Sequence, residues 1–233
     1  PLVLLHGGGS TLFTSFAKII PLLAGRRQVI AVELQAHGRT SDRNAPESFE
    51  QDADDVAALL KHLTISKADI MGFSNGGSTS LQLAIRHPEC VDKLVAVSAI
   101  YKRDGMQPGF FDFMQNGTFS DMPQLYKDAF LSVNNDPQKL LNMFNKDRQR
   151  MLDFKDWSDE LIKSIEVPVL VMVGDKDVVR PEHAMELARL VPKGQLAVLP
   201  GGHGDFMGEA MATRPNDKMI ALTAAMIDDF LGE

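Results

Sequence analysis

Three short segments of this chain carry residues whose types and spacing could do chemistry. They are Gly72-Phe73-Ser74-Asn75-Gly76-Gly77, Gly174-Asp175-Lys176-Asp177 ahead of Pro181, and Gly201-Gly202-His203-Gly204. A serine hydroxyl is a weak nucleophile near neutral pH and needs a base within hydrogen-bond reach. An imidazole can be that base, and a carboxylate can orient it and stabilise the imidazolium that forms. The Gly-x-Ser-x-Gly pattern follows an apolar run and opens a helical one, so a sharp strand-to-helix turn would hold Ser74 exposed and fixed. The flanking glycines fit a turn that presses backbone against backbone. A fourth segment, Leu5-His6-Gly7-Gly8-Gly9-Ser10, places a glycine loop after the first apolar run, where backbone N–H groups can face a reacting oxygen. It reads as half of an oxyanion hole. A phosphate loop is the competing reading, but no Lys follows the glycines and no Gly-x-Gly-x-x-Gly fingerprint exists.

The remaining histidines have quieter readings. His183, one helix on from Asp177, is the rival base and reads as an exposed helix histidine. His6 braces the glycine loop, His37 sits in a turn, and His62 and His87 fall near helix ends, where a cation is mildly favourable. No His-x-x-x-His or His-Cys grouping occurs, so neither a metal nor another cofactor is expected. The single cysteine, Cys90, excludes an internal disulfide, reads as buried and inert, and favours a reducing compartment, with the cytoplasm as default.

Short apolar runs position these segments: Leu2 to Leu5, Val29 to Leu34, Ala68 to Met71, Leu94 to Ile100, Val167 to Val173 and Leu196 to Leu199. Such runs read as strands of a parallel sheet buried on both faces. Helical patterns lie between most of them. One starts at Ser48, with Gln51 at capping-box spacing and Val56, Leu59, Leu60 and Leu63 on one face; others run from Gly76 to Arg86, Pro181 to Leu190 and Asn216 to Phe230. The alternation predicts an α/β, doubly wound, mostly parallel sheet. Ser74, an Asp at 175 or 177, and His203 then converge on the C-terminal edge of that sheet, where open α/β sheets place ligands. Between Tyr101 and Glu160 no buried strand is visible; short helices rich in Phe and Met, with the one Trp, suggest a lid over the strand ends. Most of those apolar side chains should pack the lid, and a few should line a pocket.

At 233 residues the chain suits one domain with one insertion: a core of 1–100 and 161–233, and a helical cap of 101–160. A net charge of -7 with scattered Lys and Arg gives no basic stripe, so nucleic acid is not an expected partner. No apolar run approaches the roughly 20 residues of a membrane span, and a small molecule is the expected partner. Oligomeric state has no signal. The chain opens on Pro1 directly before a strand, without Met, which suggests that an N-terminal segment is missing.

The segments above, with His37-Gly38-Arg39-Thr40 after the second strand, come in an order that resembles the α/β-hydrolase family over nearly the whole chain. The resemblance implies that Ser74 attacks, His203 moves the proton, and Asp177, rather than Asp175, orients the imidazole. It also implies that the N–H groups of Gly8 and Asn75 hold the oxyanion, and that residues 101–160 form the family's cap. Family members usually carry one or two antiparallel strands before the glycine-loop strand, and none is seen here. Serine at 74 argues against epoxide hydrolase and haloalkane dehalogenase chemistry, which uses an Asp nucleophile. The expected activity is hydrolysis of a small, rather apolar ester, lactone or thioester through an acyl-enzyme. Two alternatives stand beside it. One is carbon–carbon bond hydrolysis of a ring-cleavage product, which would want an Arg such as Arg103, Arg148, Arg150 or Arg180 in the pocket. The other is a non-catalytic ligand receptor on the same fold.

Overall fold

Six apolar runs become the strands β1 (Leu2–Leu5), β2 (Val29–Val32), β3 (Ala68–Phe73), β4 (Val91–Val97), β5 (Val169–Gly174) and β6 (Gly194–Leu199). The computed structural model describes residues 1–213 and 216–232. The strands pair in the order β2-β1-β3-β4-β5-β6, and each neighbouring pair is parallel. The sheet expected to be mostly parallel is thus parallel throughout. Side chains alternate as a strand demands: Val3 and Leu5 join the core on one face, Leu2 and Leu4 that on the other. The run read as ending at Ile100 stops at Val97, because Ser98 takes a φ of 50° and leaves the extended region.

Helices cover both faces. Helix α1 (Leu12–Phe16), α2 (Ile20–Leu23) and α10 (Asp217–Leu231) pack on one; α3 (Phe49–His62), α4 (Asn75–Arg86), α8 (Asp159–Lys163) and α9 (Pro181–Leu190) pack on the other. Their starts follow the local chemistry. Ser48 Oγ accepts the Gln51 N–H at 3.1 Å to cap α3, Pro181 opens α9, and Asn216 caps α10. No helix among the described residues is long and apolar enough to cross a membrane.

Between β4 and β5 the chain forms α5 (Phe110–Asn116), α6 (Gln124–Val133) and α7 (Pro137–Asp153). Met122, Phe130, Leu140 and Met143 pack with Ala36 from the turn after β2. Phe154 and Trp157 meet Phe49 of α3 edge to face, at ring distances of 5.6 Å and 5.9 Å. Phe154 and Trp157 therefore anchor this segment to the sheet-and-helix body. The strand order reverses between β1 and β3, so the loops leaving their C-terminal ends diverge and open a crevice.

Candidate active site

Ser74 sits in that crevice, between the last residue of β3 and the first of α4, with φ 55° and ψ -119°. A non-glycine residue there stores on the order of 1–3 kcal/mol and persists only if its surroundings fix it. They do so from both sides: the Ser74 N–H donates to the Val97 carbonyl at 2.8 Å, and the Ser78 N–H donates to the Ser74 carbonyl at 3.0 Å. The glycines two residues before and after make the turn possible. A Cβ at Gly72 would fall on the Gly76 carbonyl, and one at Gly76 on the Leu5 carbonyl.

His203 leaves the loop after β6. Its Nδ1–H donates to Asp177 Oδ1 at 2.6 Å, which leaves Nε2 as the acceptor. Asp177 is buried and also accepts from Ser98 Oγ at 2.6 Å and from the Val179 N–H at 3.0 Å. Burial opposes its ionisation, but the His203 ring and these donors prevail and hold the carboxyl below its ordinary range. Burial likewise opposes a charge on His203, and Asp177 overrides it, raising the imidazole above its usual value. Asp175 turns elsewhere and accepts the Gly201 N–H at 2.8 Å, bracing the loop.

His183 departs from the expectation of an exposed helix histidine. It is buried, its Nε2 accepts the Tyr101 N–H at 3.2 Å, its ring stacks on Tyr101, and burial lowers it to about 4. Tyr101 and the turn at Gly105 cover the ring, so it sits inside the fold as a neutral acceptor. His6 does brace the glycine loop: Nδ1–H donates to the Gly7 carbonyl at 2.8 Å and Nε2 accepts the Leu34 N–H at 3.0 Å. Ser15 Oγ accepts the Gly7 N–H at 3.1 Å. Among the described residues no acceptor takes the N–H of Gly8 or of Asn75. Two backbone donors thus stand free beside Ser74.

Ser74, Asn75, Gly8 and His203 line a cavity of about 270 Å³ whose other walls include Ile100, Met106, Phe110, Met114, Met151, Val178 and Val179. A second chamber of about 310 Å³ adjoins it, walled by Phe113, Met122, Phe144, Asp121 and Arg148; Gly8, Met114, Tyr126 and Asp147 belong to both. No Lys or Arg lines the serine chamber among the described residues. Arg103 is spent on the carbonyls of Met151, Leu152 and Phe154, Arg148 on those of Met114 and Gln115, and Arg180 on that of Asp104.

Arg150 lies buried behind the site. It pairs with Asp52 at 2.6 Å, with Asp147, and with Glu47 at 3.8 Å, tying α7 to α3. Three carboxylates face one guanidinium, and burial pushes Glu47 up to about 8 despite Arg150, and Asp52 up to about 6. Folded Glu47 therefore keeps a proton that the unfolded chain loses above about pH 4.5. The stability this proton confers is present at low pH and declines as pH rises from about 4.5 to about 8. Glu47→Gln should flatten that decline and stabilise the protein at pH 8 by about 1–3 kcal/mol. Thermal melts of both proteins at pH 5 and pH 8 check it; equal differences at the two values would refute the protonated state.

Sequence reasoning missed Ser98 and Asp147. Ser98 lay inside what reads as one continuous strand, and Asp147 carries no local motif.

A family model for the alpha/beta hydrolase fold matches residues 1–138. The chain is 28% identical, over all of its length and 87% of the relative's, to a 2-hydroxymuconate semialdehyde hydrolase of Pseudomonas sp. strain CF600. It is 30% identical, over 75% of its length and 74% of the relative's, to a bifunctional esterase/perhydrolase of Acinetobacter calcoaceticus. The structure of 2-hydroxy-6-oxo-6-phenylhexa-2,4-dienoate hydrolase from Rhodococcus sp. strain RHA1 superimposes with a TM-score of 0.79 at 21% identity, covering 100% of this chain and 90% of that one.

Proposed function

The chain belongs to the α/β-hydrolase family, and from that premise we propose that it is a serine hydrolase of small, neutral, rather apolar esters, lactones or thioesters. The observation that carries this reading is His203, paired with buried Asp177, sharing one largely apolar chamber with Ser74 and two unpaired backbone N–H groups. Ser74 Oγ attacks the carbonyl carbon as its proton passes to His203 Nε2. Asp177 holds the other ring nitrogen and stabilises the imidazolium. The oxyanion that forms takes the N–H groups of Gly8 and Asn75, which need no reorganisation to receive it. Collapse expels the alcohol or thiol with the proton from His203. A water activated by the same imidazole then cleaves the acyl-enzyme and restores Ser74.

Residues 101–160 serve as the cap, from which Phe110, Met114, Tyr126 and Met151 line the chamber. The apolar wall and the lack of a lining cation favour an uncharged acyl group. Carbon–carbon bond hydrolysis of a ring-cleavage product remains the second reading, favoured by the 28% identical semialdehyde hydrolase. Such a substrate carries a carboxylate, and Arg148 lines the outer chamber.

A series of p-nitrophenyl acyl esters tests the choice. Turnover should be greatest for short acyl chains and fall once the chain outgrows the 270 Å³ chamber. Loss of colour from a ring-cleavage dienoate, with every ester left intact, would overturn the ester reading.

A further inference from the structure

Asp147 is 8% exposed, yet it lines both chambers. Its two oxygens have different surroundings. Oδ1 accepts from Asn75 Nδ2 at 3.0 Å and from Arg150. Oδ2 has no donor among the described residues and stands over the glycine loop, 2.6 Å from where a Cβ on Gly8 would lie. Burial opposes its charge, but Arg150, the His37 ring and the Asn75 amide hold the carboxyl below its ordinary range, so it is an anion. Neutralising Arg150 does not require this residue, because Asp52 already pairs with it at 2.6 Å. A carboxylate oxygen that faces the cavity with no protein donor is free to take one from whatever fills that cavity, and a hydrogen bond to a charged acceptor is among the stronger kinds.

We propose that Asp147 Oδ2 is a substrate-recognition acceptor, and that the enzyme prefers esters or lactones bearing an O–H or N–H donor, such as a 2-hydroxyl or 2-acylamino group, next to the scissile carbonyl. This rests on the hydrolase reading above. The position follows from Gly8: the same residue offers its N–H to the carbonyl oxygen and lies under Oδ2, so the donor must be only a few bonds from that carbonyl. A carboxylate in the same place meets an anion and is rejected.

Asp147→Asn reverses the sign of the contact. Asn75 Nδ2 and Arg150 are both donors, so they hold the new amide oxygen and turn its NH2 toward the cavity. Three esters read the change: p-nitrophenyl 2-hydroxybutanoate, p-nitrophenyl butanoate and mono-p-nitrophenyl succinate. The hydroxy-to-plain ratio of kcat/KM should fall about tenfold or more in the variant, the scale of a hydrogen bond to a charged group. The succinate should gain relative to the plain ester. An equal fall for all three, as a purely structural role predicts, or an unchanged ratio, would overturn the proposal.

Binding in Ser74→Ala protein, where Asp147 is native, supplies a readout independent of turnover and of the variant's folding. The hydroxy ester should bind about tenfold more tightly than the plain one; equal affinity would overturn the recognition role. If the wild type hydrolyses none of the esters, the hydrolase reading fails, while the binding difference still decides for or against Asp147.

Discussion

Ser74→Ala is expected to lower ester turnover by about 10⁴- to 10⁶-fold while leaving the protein folded. The hydroxyl makes no hydrogen bond within the described residues, and the backbone bonds that fix the turn, to Val97 and Ser78, do not involve it. Alanine retains the Cβ and the strained φ of 55°, so stability should move by no more than about 0.5 kcal/mol. Without the oxygen no acyl-enzyme forms. The residual rate expected on the proposed mechanism is attack by water under the Gly8 and Asn75 N–H groups. Initial rates with p-nitrophenyl butanoate and a thermal melt check the two halves, and fluorophosphonate labelling should be confined to Ser74 of the wild type. Turnover above a hundredth of wild type in a folded variant would remove Ser74 from the chemistry.

Asp177→Asn should cost about 10³-fold in kcat/KM and move the acid limb of the pH profile. In the proposed mechanism His203 accepts a proton only when neutral, so activity should rise with pH as its proton leaves. In the wild type Asp177 raises that pKa, and the limb lies above the ordinary 6.5. Removing the negative charge stabilises the neutral ring and shifts the limb to lower pH, even as the maximum falls. The fold should survive, because the Ser98 hydroxyl, which now donates to Oδ2 at 2.6 Å, can rotate to accept from the new amide. A pH–rate profile decides it: a lower maximum with an unmoved limb would mean that Asp177 is a scaffold rather than a partner of the imidazole.

How much of this was legible beforehand depended on whether the information was local. The apolar runs mark β1, β3, β4 and β5 because central strands covered on both faces must be apolar, whereas edge strand β6 leaves Leu196 and Val198 exposed; strand ends differ by a few residues where a single φ, as at Ser98, terminates the ladder. Ser74 and His203 announced themselves through glycines that a tight turn requires. Asp175 and Asp177 stand two residues apart in one loop, and only the packing tells which carboxylate faces the ring. The contacts that stayed hidden span long stretches of chain: 72 residues from Asn75 to Asp147, 79 from Ser98 to Asp177, and 98 from Asp52 to Arg150. Nothing in the neighbourhood of Asp147 distinguishes it from any solvated helix acid. His183 is the reverse case, since a polar residue at its place on α9 reads as solvent-facing and only the fold lays Tyr101 over it.

The edge-to-face cluster of Phe49, Phe154 and Trp157 has a spectroscopic consequence. Trp157 is the only indole in the chain, 7% exposed, and it sits where the segment after α7 meets α3. Emission excited at the red edge of protein absorbance thus comes from one site, at the seam between the helical insertion and the rest of the molecule. Its colour reports whether that seam is dry or wet, so separation of the two parts can be followed in real time without attaching a dye.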